Sequence, residues 1–136
     1  MNEALMKKRT KDFAKDIIRL CQKLPNNREG NLIGDQIFRS GTSVAANYRA
    51  ACRARSTAEF ISKLSIVEEE ADETLFWHEM IKEMKILDNK LLATLTKEND
   101  EIIAIIVSSI KTARGNKKKV NPKSAIQNPK SKNGFS

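Results

Sequence analysis

The chain has 136 residues, with 25 Lys and Arg against 17 Asp and Glu for a formal net charge of +8 at pH 7. That length suits one domain with a modest core and not two; 5% aromatic residues, five Gly and three Pro argue for helices and against a β-sandwich or a Gly-rich nucleotide fold. The basicity is uneven. Residues 1–114 hold 19 Lys and Arg against all 17 acids, a net of +2, whereas residues 115–136 hold six lysines and no acid, a net of +6.

The N-terminal stretch MNEALMKKRTKDFAKD has no apolar targeting core, and the longest apolar run, Ile102 to Val107, is far short of the roughly 20 residues that cross a membrane. A cytoplasmic protein without membrane contact is expected. Cys21 and Cys52 fall on different predicted helices and are expected as free thiols, because nothing marks the chain as secreted.

The first helix is expected from Glu3 or Lys8 to Leu24. Phe13, Ile17, Leu20, Cys21 and Leu24 form its inner face and Lys7, Lys8, Lys11, Lys15 and Lys23 its outer one. Pro25 stops it, since the residue before a proline is pushed out of the α region. The second helix, from Arg28 or Asn31 to Arg53 with Asn31 as N-cap, is the element the others surround. Ile33, Ile37, Val44, Tyr48 and Ala51 make an apolar stripe, Gln36, Ser40, Ser43 and Asn47 a polar one, and small residues between them admit a close neighbour.

Ser56-Thr57-Ala58-Glu59 is a capping box that opens a third helix, expected from Thr57 to about Leu87 and spanning roughly 45 Å. Phe60, Leu64, Val67, Ala71, Thr74, Leu75, His78 and Ile81 form its stripe. The acidic run Glu68 to Glu73 spreads around the whole circumference, so some acids must face inward. Glu70 and Glu73 are expected to meet Gln36, Arg39, Ser43 and Asn47 in a polar layer that fixes helix register, since a buried acid needs a partner.

The fourth helix is expected from Asn89, or from a break at Thr96, to Arg114, with Gly115 as its stop. Glu98, Asp100 and Glu101 before the isoleucine run mark a helix rather than a strand. Its apolar residues cover roughly 200° of the circumference, against the ~100° a bundle core needs. Ile102, Ile103, Ile105, Val107 and Ile110 are therefore expected to present a surplus face to another copy. The fold class that follows is all-α: an antiparallel up-down four-helix bundle over residues 1–114, with a disordered basic tail over 115–136.

No catalytic site assembles from these residues. His78 is the single histidine, sits on an apolar stripe and has Leu75 three positions before it, so neither a histidine-rich metal centre nor a Glu-x-x-His carboxylate-bridged site is expected. There is no phosphate-binding glycine motif, and no cofactor or metal is implied.

Residues 35–48, DQIFRSGTSVAANY, and 59–77, EFISKLSIVEEEADETLFW, resemble the small bacterial four-helix bundle proteins first described as open reading frames in intervening sequences of large-subunit ribosomal RNA genes. SSIKTAR at 108–114 resembles that family's last helix; Ala50, where many members carry Glu, and His78, usually aliphatic, depart from it. The resemblance implies a four-helix bundle with no established activity. The family is similar to the accessory variability determinant of diversity-generating retroelements, which implies a homo-oligomer, a pentamer, binding nucleic acid and a reverse transcriptase.

Charge placement and resemblance together lead to the expectation of a non-enzymatic oligomeric bundle that binds RNA or DNA by backbone contacts. The candidate residues are Lys7, Lys8, Arg9, Lys11 and Lys15 on the first helix, Arg49, Arg53 and Arg55 at the end of the second, and Lys117, Lys118, Lys119 and Lys123 in the tail. The alternative is a scaffold that docks a protein such as a reverse transcriptase without touching nucleic acid.

Overall fold

The computed structural model describes the backbone of residues 2–119 and the side chains of residues 2–116. Four helices run α1 (Glu3–Lys23), α2 (Arg28–Cys52), α3 (Thr57–Glu83) and α4 (Lys90–Lys119), with no strand among the described residues. Each starts on a side-chain oxygen that accepts one of the otherwise orphaned first-turn N–H groups. Asn2 accepts from Leu5 N, Asn27 from Gly30 N, Ser56 from Glu59 N and Asn89 from Leu92 N, at 2.8 to 3.1 Å. The carboxylate of Glu59 reaches back to the Arg55 N–H at 3.0 Å.

Short turns join the helices into an antiparallel bundle in which each packs on its neighbours in chain order and α4 closes back on α1. The core is one cluster built from the expected stripes. It holds Phe13, Ile17 and Leu20 of α1, Ile37, Val44 and Tyr48 of α2, Leu64, Val67 and Ile81 of α3, and Leu92, Leu95, Ile102 and Ile106 of α4. Each fully buried Leu or Ile contributes about 1.5–3 kcal/mol. Gly41 lets α1 and α2 approach closely, because a Cβ there would sit 2.7 Å from Ile17 Cγ1.

Several boundaries differ from the sequence reading. Asn27, not Asn31, caps α2, which gives the helix its full turn around Asn31. Helix α3 stops at Glu83 because Lys85 turns to φ 56°, with Ile86 N–H bonded to Ile81 O at 2.9 Å and Lys85 N–H to Lys82 O at 3.1 Å. Helix α4 has no break at Thr96 and runs through Gly115 to Lys119. An exposed glycine costs a helix only about 1 kcal/mol, and the lysines that follow suit a helix C-terminus. The helix therefore does not end at residue 114, and Lys123 with the rest of 120–136 lies outside the described residues.

The apolar residues of α4 divide between the chain's own core and its flanks. Ile102, Ile106 and Ile110 are in the chain's own core, while Ile103, Ile105 and Val107 are half-buried. At 100° per residue Ile103 and Val107 fall on one side of that core stripe and Ile105 on the other, so they flank it; Ala104, Ser108 and Lys111 face outward and are exposed. Exposed large apolar side chains lie elsewhere: Leu32 (54% exposed), Phe38 (45%), Phe76 (49%) and Met84 (63%), with Leu5 on α1.

Candidate nucleic-acid interface

The start of α1 and the end of α2 lie side by side, which makes one end of the bundle basic. There Lys7, Lys8 and Lys11 face Arg49 and Arg53 across an open groove of about 610 Å³, whose floor is Thr42, Ala45 and Ala46. None of the residues lining it is acidic. Spacings of four residues put Lys7 above Lys11, and Arg49 above Arg53, on single helix faces. Arg49 and Arg53 at a helix C-terminus also favour the helix dipole. Lys7 and Lys8 gain nothing from it, because the start of a helix favours anions.

The other expected phosphate ligands are placed differently. Lys8 also donates to Asp12 Oδ2 at 2.7 Å, which holds the Asp12 carboxyl below its usual range. Arg9 turns away from the groove toward α4, where it donates to Glu98 at 2.6 and 2.7 Å and to Glu101 at 2.6 Å. These carboxylates hold its guanidinium charged and neutralise it locally. Lys15 is exposed one turn beyond Lys11, and Arg55 is exposed in the turn after α2. Lys117, Lys118 and Lys119 continue α4 at this same end of the bundle.

The polar residues expected in one layer divide between surface and core. Arg39 holds Glu70 at 3.0 Å and Glu73 at 2.6 Å, and Trp77 Nε1 donates to Glu73 at 3.2 Å. Arg39, followed by Trp77, keeps the Glu73 carboxyl below its usual range. This cluster is half-exposed, so solvent limits it to about 1 kcal/mol. Gln36 is exposed and Asn47 donates to Ser43 O of its own helix, so neither reaches the acids across the interface.

The buried polar layer uses other residues. The Thr74 hydroxyl lies 2.8 Å from that of Ser40 and 2.7 Å from the Glu70 carbonyl. His78 Nδ1 donates to Asn99 Oδ1 at 2.9 Å, and Asn99 Nδ2 donates to Ala71 O at 2.9 Å. Because Asn99 presents its oxygen, the proton sits on Nδ1, and His78 Nε2 is buried with no hydrogen-bond partner. Burial pushes His78 down to about 4 against the opposing Asn99 bond, so it is neutral at pH 7. Phe13 meets the imidazole edge-on at 6.3 Å. Asn99 had a signal in the sequence: it takes a place in the α4 stripe of Leu92, Leu95, Ile102 and Ile106.

Among the described residues no cluster of three or more His, Cys, Asp or Glu could hold a metal ion, and no helix is long and apolar enough to cross a membrane. Cys21 and Cys52 are free and half-buried. Cys21 lies against Gly34 O, and Cys52 lies near Tyr48 and Glu3 at the other end of the bundle, too far for a bridge.

Residues 2–108 match the model of the 23S rRNA-intervening sequence protein family. The chain belongs to this family. Among solved structures it is similar to a crystal structure of a protein of unknown function from the S23 ribosomal protein family of Bacteroides thetaiotaomicron. The two are 35% identical with a TM-score of 0.76, over 82% of this chain and 100% of that one. No curated protein matches the chain. The match to the intervening-sequence family takes in the whole α1–α2 groove and stops short of Lys111, Arg114 and the lysines that follow.

Proposed function

We propose that this member of the intervening-sequence protein family is a non-enzymatic, homo-oligomeric bundle that binds RNA or DNA through its basic end. The observation that carries the reading is the convergence of Lys7, Lys8, Lys11, Arg49 and Arg53 on one groove with no lining acid. Cations gathered this way gain affinity by releasing the counterions condensed on a phosphate backbone. Lys117, Lys118 and Lys119 add to the charge of the same end, since α4 finishes there. The test is the affinity of the full-length protein for a structured RNA across a salt series. A plot of log affinity against log salt with a slope of about −3 or steeper supports the reading; no binding at low salt ends it.

The exposed apolar residues favour a second use of the opposite end. Arg39 paired with Glu70 and Glu73 sets the antiparallel register, which brings Leu32 at the start of α2 level with the last turns of α3, where Phe76 and Met84 are exposed. In this reading these residues, rather than the α4 isoleucines, carry self-association. If instead they seat a different protein, such as a polymerase, the affinity for that partner is insensitive to salt.

A further inference from the structure

We infer that Phe38 is a base-stacking residue at the far end of the α1–α2 groove, so that the groove takes a single-stranded segment of nucleic acid. The inference rests on the nucleic-acid reading above and narrows its ligand. Phe38, Thr42, Ala45 and Arg49 recur at four, three and four residues, which is one face of α2. Three of them line or floor the groove, and Phe38 stands one turn beyond Thr42 with 45% of its surface exposed. A phenyl ring left that open on a helix keeps much of its surface free for a further contact. Among the described residues the other exposed phenylalanine differs: Phe76 packs edge-on against Trp77 at 4.8 Å, with Glu73 beside it.

The opposite wall runs in step. Lys7, Lys11 and Lys15 are each one turn apart on α1, and the contact of Gly41 with Ile17 sets the antiparallel register. Along the groove the order is therefore Lys7 with Arg53, then Lys11 with Arg49, then Lys15, then Phe38. A helical turn advances about 5–6 Å, close to the separation of successive phosphates along a strand. The floor of Thr42, Ala45 and Ala46 carries one hydroxyl, and that hydroxyl donates to the Phe38 carbonyl at 2.7 Å. The groove can follow a backbone without reading base edges, which makes binding sequence-independent. A duplex keeps its bases stacked inside and could use only the cations. An unpaired strand can use both the cations and the ring, which is how single-strand binding surfaces gain affinity.

The experiment measures anisotropy of labelled 12-nucleotide oligo(dT) and of a 12-base-pair duplex with full-length protein, over a salt series. Expected is tighter binding of oligo(dT) than of the duplex. Phe38→Ala is expected to weaken oligo(dT) binding by about 5- to 100-fold, with an unchanged salt slope and unchanged duplex affinity, and Phe38→Trp to restore it. The double variant Lys11→Gln/Arg49→Gln is expected to flatten the slope by roughly 1.4 units on the single strand and 1.8 on the duplex. The inference is overturned if Phe38→Ala leaves oligo(dT) affinity intact, if the duplex loses as much as the single strand, or if sedimentation shows that Phe38→Ala dissociates the protein. Binding of neither probe by the parent protein removes the nucleic-acid reading itself, a different result from any of these.

Discussion

The two ends of this bundle are made from the same four helices and present opposite surfaces. At the end where α1 starts and α2 finishes, Lys7, Lys8, Lys11, Arg49 and Arg53 crowd one groove. At the other end Lys23, Lys82, Lys85 and Lys90 are scattered among Glu83, Asp88 and the exposed Leu32, Phe76 and Met84. A net charge is not a site. Both ends carry cations, but only at one do two antiparallel helices line them up along a groove with no acid in its lining.

Breaking the difference gives the largest expected effect. Lys7→Gln, Lys11→Gln, Arg49→Gln and Arg53→Gln together should lower affinity for a structured RNA by on the order of 10³ at 0.1 M salt and remove about three units of salt slope. The same replacement at Lys23, Lys82, Lys85 and Lys90 should change affinity less than tenfold. Equal losses from the two sets, read by anisotropy, would show that only total charge matters.

Between the ends, the buried His78 sets a pH limit on the whole bundle. In the unfolded chain an imidazole titrates near 6.5, whereas burial holds His78 at about 4. Between these values the unfolded state binds a proton that the folded state excludes, so stability falls as pH drops from 6.5 toward 4. The loss reaches about 3 kcal/mol at most. Urea denaturation should show that slope in the parent and a shallower one in His78→Leu; identical slopes would place its origin in other groups.

The apolar end offers two smaller effects. Leu32→Glu with Phe76→Glu should weaken self-association by about tenfold, the order expected for losing one well-packed contact, while the salt slope on RNA stays unchanged. Sedimentation at several concentrations reads the first and anisotropy the second; an unaltered mass would exclude this end as the self-contact. Lys85→Gly should raise stability by about 0.5–1 kcal/mol, because a residue with a Cβ is strained at φ 56° and glycine is not. A lower melting temperature in that variant would mean the Lys85 side chain contributes more than its backbone strain costs.

The bundle was legible in the sequence because its cores repeat at helical spacing. Phe13, Ile17 and Leu20 or Leu64, Val67 and Ala71 can be read as buried without knowing what they touch. Half of the candidate groove was legible for a related reason, since lysines four apart on α1 share a face. What could not be read was which face meets which. Arg9 has the same chemistry as its neighbours, yet its position directs it to Glu98 and Glu101, about ninety residues away in the chain. The isoleucine run of α4 looked too apolar for one core because periodicity measures the width of a stripe and not the reach of the helices on either side.

The sequence by itself determined the helix count, the capping box of α3, most of the buried residues and the presence of a basic segment, all of which depend on neighbours within one or two turns. The tertiary structure alone decided that Lys11 and Arg49 share a groove, that the expected cluster of Arg39 with Glu70 and Glu73 lies at the surface rather than in a buried layer, and that Asn99 reaches His78 in the core. These contacts join residues brought together by the antiparallel register. That register is set by the close approach of Gly41 to Ile17 and by packing summed over whole helices, which no local spacing records.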